Sequence, residues 1–206
     1  MVIVAYRIDA RDQITAVNEG WSISAQANSA EHLLAPGILG RRLWDLISDP
    51  ATAQIYQELV NRVRGGSGPV DFVFRCDSPG ERRLLQMQIT EVAEAGEILF
   101  EVSSIAVQPR LAVSLLDQTS PRSGIVLQMC GWCKRVPANP DSWLEIEQAV
   151  AELDLFAAPA MPAISHGICP DCHGAMLAVL AKPSSANSSP IGARALPQAI
   201  SQSENG

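Results

Sequence analysis

The chain opens with two short runs whose apolar residues suit strands. Residues 2–8 (Val-Ile-Val-Ala-Tyr-Arg-Ile) are β-rich and end at Asp9, and residues 13–18 alternate through Ile14, Ala16 and Val17. Turn-forming Asp9 to Asp12 lie between them, so the pattern predicts a hairpin. The stretch from Glu19 to Leu34 is rich in Ser, Ala and Asn and predicts short helical turns. Gly37 and Gly40 break it, and Leu43, Trp44, Leu46 and Ile47 predict one buried helical turn. Residues 52–64 carry Ile55, Leu59 and Val63 at i, i+4 and i+8, the stripe of an amphipathic helix, which Gly65-Gly66-Ser67-Gly68 ends. Three strands are expected next, over 69–76, 82–91 and 96–107. In the second, Leu84, Gln86, Gln88 and Thr90 face one side and Leu85, Met87 and Ile89 the other, as in a half-buried antiparallel strand.

Two strands, a helical region and three strands suit an α+β fold, an antiparallel five-stranded sheet with its helices on one face. Residues 108–128 read as a connector, with a short helix over Leu111 to Asp117. Residues 129–182 read as a small module of about 50 residues built around cysteines. Ser142-Trp-Leu-Glu145 has the form of a capping box opening a helix, with Trp143, Ile146, Val150 and Leu153 as its apolar stripe. Met176, Leu177 and Leu180 suggest a second short helix. Residues 183–206 hold few large apolar side chains and are expected to be a disordered tail.

Composition narrows the partners. The 206 residues are 47% apolar and carry a net charge of −7. That acidity argues against duplex nucleic acid and against an anionic membrane surface. The basic pairs Arg41-Arg42, Arg82-Arg83 and Lys134-Arg135 read as solvated faces. No signal peptide and no membrane-length apolar run is visible, so a soluble, cytoplasmic protein is expected. In a reducing compartment, paired cysteines point to metal binding or redox chemistry rather than to disulfides.

Cys130-Gly-Trp-Cys133 and Cys169-Pro-Asp-Cys172 are two C-x-x-C turns. Each puts two sulfurs on one side of a tight loop, where backbone N–H groups can stabilise thiolate charge. Gly131 is expected to allow close backbone approach in the first turn, and Pro170 to preset the second. Together the turns predict a closed tetrahedral four-thiolate site for one Zn²⁺ per chain. A structural metal suits a module too small to rely on its own core. An iron–sulfur cluster takes the same ligands, and a dithiol switch or free core cysteines also fit the spacing. Cys169-Pro-Asp-Cys172-His173 matches the c-type haem pattern, with Met176 as a conceivable axial partner, but leaves the other pair unexplained. His166 is expected to hydrogen-bond near the ligands, or else to replace one thiolate. His32 is isolated. Cys76 reads as a small buried hydrophobe at a strand end or as a redox-sensitive thiol beside Arg75, and its role stays open.

Tyr6-Arg7-Ile8-Asp9, Ile14-Thr15-Ala16-Val17-Asn18, Trp21, the segment Gly40-Arg41-Arg42-Leu43-Trp44-Asp45-Leu46-Ile47 and the three-strand finish resemble a PAS domain over residues 2–107. Cys-x-Trp-Cys-Lys-Arg, then a Trp-containing helix, then Ser165-His166-Gly167-Ile168-Cys169-Pro170-Asp171-Cys172 look like a small module appended to bacterial PAS and response-regulator proteins. The resemblance implies a non-catalytic bacterial signalling protein, with a PAS-like domain that senses or dimerises and a zinc module that stabilises the chain or binds a protein partner. PAS relatives hold haem, flavin or metabolites between sheet and helices. The helix at 52–64 lacks a histidine for haem, and no pocket ligand is named. The alternative function is redox sensing or electron transfer through an iron–sulfur or haem centre.

Overall fold

The N-terminal hairpin turns on Asp9, whose carboxylate accepts the N–H groups of Arg11 (2.8 Å) and Gln13 (2.9 Å). That local bonding substitutes for ladder bonds at the turn. The computed structural model describes residues 2–28, 30–92, 96–139, 142–154 and 160–182; the tail expected at 183–206 lies outside them. Strands β1 (Val2–Ile8) and β2 (Ile14–Val17) form the hairpin. Helix α1 (Glu19–Ala27) follows at once, with Asn18 as its N-cap. Asn18 Oδ1 also accepts the N–H of Ala5 at 2.9 Å, which ties the helix start to β1.

Helix α2 (Pro50–Arg64) is capped by Asp49 and starts on Pro50, a residue whose missing N–H costs nothing in the first turn. Ile55, Leu59, Val60 and Val63 are its buried face, as the stripe predicts. Strands β3 (Val70–Arg75), β4 (Glu81–Val92) and β5 (Glu97–Pro109) complete one antiparallel sheet in the order β2-β1-β5-β4-β3. The last strand of the sequence run pairs with the first, and the helical crossover covers one face. This is a PAS-like α+β arrangement. The period of two holds: Leu85, Met87 and Ile89 are buried, and Tyr6, Phe72 and Phe100 join them under α2. Tyr6 stacks on Phe100 (4.6 Å between ring centres) and meets Trp21 edge-on at 5.1 Å.

The C-terminal module holds more strand than expected. Strand β6 (Arg122–Cys130) starts inside the segment read as a connector, and only a single 3-10 turn, Ser114–Leu116, replaces the short helix expected there. Strand β6 pairs in parallel with β9 (Met161–Gly167), and β7 (Val136–Asn139) pairs antiparallel with β8 (Ser142–Leu144). The expected capping box is therefore a strand. Helix α3 (Ile146–Glu152) begins after it, and its N-cap, Glu145, makes no side-chain capping bond. The Glu145 carboxylate is instead held by Arg75 and Arg135. Helix α4 (Pro170–Ala181) closes the chain.

Val113, Leu115, Met129, Val136, Ile146, Ala149 and Val150 make a small core of the module's own. Cys130, Trp132, Cys169 and Met176, by contrast, belong to the same continuous core as the sheet and α2. Arg62 of α2 donates to the carbonyls of Leu180 (2.9 Å) and Lys182 (2.5 Å) at the end of α4.

Candidate metal centre

Each cysteine pair reaches the centre on a different kind of element. Cys130 is the last residue of β6. The chain then folds back so tightly that Lys134 N–H donates to Cys130 O (3.0 Å) and Cys130 N–H to Arg135 O (2.8 Å). That reversal requires a left-handed residue, and it is Lys134 (φ 63°) rather than the glycine. A Cβ on Gly131 would meet Gly167 O at 3.6 Å, an ordinary contact, so the close approach expected of Gly131 is not sterically required. Gly131 N–H instead donates to Gly167 O (2.8 Å), joining the turn to the end of β9. Cys169 is the N-cap of α4, and Pro170 sits at the helix start. Cys172 lies in the first helical turn, so the second C-x-x-C is a helix N-terminus.

The four Sγ atoms lie within 4.8 Å of one another. Cys133 Sγ and Cys169 Sγ are 3.7 Å apart. A tetrahedron with metal–sulfur bonds of about 2.3 Å has sulfur–sulfur edges of about 3.8 Å, so the cluster has the size of a metal–thiolate centre. Backbone N–H groups point at the sulfurs: Cys169 N–H donates to Cys130 Sγ and Cys172 N–H to Cys169 Sγ, each at 3.4 Å. Such donors favour thiolate over thiol. Cys130 and Cys169 are buried, and Cys133 and Cys172 are half-buried.

Four like charges cannot share this space unaided. Thiol hydrogen bonds from Cys133 and Cys172 hold the Cys130 thiol well below its usual value. The same pairing pushes Cys133 up to about 12, and pushes Cys172 up as well. The polypeptide alone thus stabilises one thiolate at the expense of its neighbours, and a bound cation removes that conflict.

His166 lies outside the four-sulfur group. It sits in β9 opposite Met129, with its side chain exposed. Contact with surrounding protein still lowers its pKa, with the charge of Lys134 adding to this and Cys130 opposing it. His173, the haem-pattern histidine, is exposed on α4. Cys76 stands apart from the cluster; its sulfur is 3.9 Å from Arg83 Nη2, and Arg75, expected beside it, turns to Asp77 and Glu145.

Trp132, between the first two cysteines, is 5% exposed. It packs 5.9 Å from Tyr56 of α2 at an interplanar angle of 28°. Its carbonyl accepts the N–H of Arg75 (2.6 Å), the last residue of β3. Its own indole N–H is buried with no partner among the described residues. An orphaned donor of this kind costs about 1–3 kcal/mol, so packing and the flanking chain hold the ring in place.

A charged seam that sequence reading missed joins the module to the sheet. The Asp77 side chain is fully buried between Arg75 and Arg110. Arg75 reaches Glu145 (2.6 Å), Arg82 reaches Glu147 (2.8 Å), Arg110 reaches Glu147 (3.0 Å) and Arg135 reaches Glu145 (3.2 Å). Partial burial works against the charge on Glu147, but bonds from Arg82 and Arg110 outweigh it and hold the carboxyl down at about 2. An open cleft of about 420 Å³ lies along the seam, lined by Arg82, Arg110, Glu145 and Glu147 among others. Arg82 and Arg135, read as solvated from the sequence, are seam residues.

Among the described residues no helix is long and apolar enough to cross a membrane. No protein-family model matches the chain, and no curated protein matches it. Several solved structures show slight likeness, two of them as follows. An RNA-binding light-oxygen-voltage receptor is 12% identical, with a TM-score of 0.35, over 50% of this chain and 27% of that one. The sensor region of a sensor histidine kinase is 20% identical, with a TM-score of 0.33, over 50% of this chain and 39% of that one. The chain thus spans well under half of either protein. The PAS-like assignment rests on strand order rather than on these likenesses.

Proposed function

We propose that this chain is a non-catalytic signalling or regulatory protein of the cytoplasm. Its PAS-like sheet domain senses or dimerises, and Cys130, Cys133, Cys169 and Cys172 hold one structural zinc ion that fixes the module for contact with a protein partner. The observation that carries the metal reading is the convergence of four sulfurs from a strand end, a tight turn and a helix N-terminus. Zinc supplies a compensating dication and a fixed tetrahedral geometry without redox chemistry. The seam charges pair with one another, which suits a structural role.

The experiment is elemental analysis with a visible spectrum on protein purified without oxygen. One zinc per chain and no colour is the expected result. Iron with thiolate-to-metal absorption would replace zinc with an iron–sulfur centre and favour redox sensing or electron transfer, a reading encouraged by the half-buried Cys133 and Cys172. A haem Soret band would point instead to the Cys169–His173 motif.

A further inference from the structure

Trp132 places the metal centre and the sheet domain in mechanical contact. It is flanked in sequence by two of the four cysteines, yet its ring belongs to the core beneath α2. Three observations bear on what happens to it when the sulfurs lose their metal.

The first is that a backbone hydrogen bond ties the turn to the sheet. Arg75 N–H donates to Trp132 O at 2.6 Å, so a shift of the turn is felt at the end of β3. The second is that the ring gains nothing from hydrogen bonding where it sits. Its N–H is without a partner among the described residues and would acquire one in water. The third is that the packing beside the ring is incomplete. A small cleft of about 60 Å³ lies among Thr52, Tyr56, Phe74, Gly131 and Trp132. Such a ring stays in place only while the short turn that carries it is fixed, and that turn, Cys130-Gly131-Trp132-Cys133, begins and ends on cysteines of the cluster. Helix α4 completes the linkage: it carries the other two cysteines and packs on α2 and β3. The exposure is also asymmetric. Cys130 and Cys169 are 0% and 1% exposed, while Cys133 and Cys172 face partly outward. A chelator therefore reaches the centre past Cys133 and Cys172.

We infer that Trp132 is a metal-held plug of the sheet domain: with the four sulfurs on zinc it is seated against Tyr56 and the end of β3, and on metal loss it withdraws and opens the space between α2 and β3. Metal occupancy is thereby reported to the PAS-like domain. This rests on the zinc reading above and goes beyond it, since a purely local staple would leave α2 and β3 unchanged.

The test uses the full chain, with zinc measured throughout. Zinc is removed with a chelator, and amide hydrogen exchange is followed together with tryptophan emission. The Trp132→Phe protein serves as the blank for the other three of the four tryptophans. Expected on zinc removal are at least tenfold faster exchange at the Arg75 amide and a red shift of the Trp132 component, with β1 and β5 still protected. Returning zinc alone restores both. Trp132→Ala, which removes the ring but no sulfur, should keep one zinc per chain and bind a hydrophobic dye whether or not zinc is present. Zinc removal that leaves Arg75 exchange and Trp132 emission unchanged overturns the inference while sparing the zinc reading. Loss of protection across β1 and β5 as well overturns it too, because the metal would then support the whole chain rather than one plug. Protein that neither contains nor takes up zinc sinks both the metal reading and the plug.

Discussion

At the scale of single residues, the tightest constraint lies far from the cysteines. A Cβ at Gly20 would sit 1.6 Å from Ile3 O, in the backbone of β1, so α1 lies directly on the strand with no room for a methyl group. Backbone cannot swing aside as a flexible side chain can, which puts Gly20→Ala at the upper end of overpacking costs, about 3 kcal/mol. Chemical denaturation should show the loss; an unchanged midpoint would mean that α1 is loosely seated. Near the centre the expectation is the opposite. The exposed ring of His166 lies outside the sulfur group, so His166→Ala should keep one metal per chain, and loss of that metal on elemental analysis would make it a ligand. Cysteine spacing alone pointed to the four sulfurs. It could not show that Lys134 takes the left-handed turn, because a lysine carries no sequence signal for positive φ, whereas the adjacent glycine invites that role.

At the scale of elements, the sheet and α2 were legible because their burial is periodic: Ile55, Leu59 and Val63 lie one turn apart, and Leu85, Met87 and Ile89 alternate with polar neighbours. Strands β6, β7 and β9 were not. Ile125 and Val126 of β6 are 68% and 63% exposed, so no alternation marks that strand, and Pro137 and Pro162 interrupt the other two. The Ser142–Glu145 pattern misled for a related reason: Glu145 has stronger partners in Arg75 and Arg135 than a helix N–H would offer. The seam formed by these ion pairs has a pH signature. The Glu147 carboxyl is held at about 2, below its ordinary 4.5. A depressed carboxyl stabilises the fold fully above 4.5, and the contribution is lost as pH falls from there toward 2. Its side chain is 36% exposed, so solvent screening keeps the effect modest. Glu147→Gln should therefore be less stable than the parent at neutral pH, with the difference shrinking across that acid window. Thiolate protonation and metal release in acid affect both proteins alike, so the difference isolates the carboxylate. A constant difference down to pH 2 would assign Glu147 a packing role instead.

At the scale of the whole molecule, the sequence suggests two units in series, a sheet domain and an appended metal module, such that losing the metal would unfold residues 129–182 and leave the sheet intact. The packing argues for closer integration. Trp132, Cys130, Cys169 and Met176 share one core with the sheet, and α2 is fastened to the end of α4 through Arg62. Two C-x-x-C motifs announce a centre, but nothing in their spacing says which surface the centre will cover; that depends on contacts between residues more than 50 positions apart, such as Tyr56 with Trp132. A chain cut to residues 1–112 should therefore expose Tyr56 and Phe74 and lose at least what removal of a buried tryptophan costs, about 3–5 kcal/mol. The expected readout is a lower denaturation midpoint with dye binding in the native baseline. A fragment that unfolds cooperatively at the parent's midpoint and binds no dye would restore the picture of a separable module, and it would take with it the idea that the metal centre completes the core of the domain it sits on.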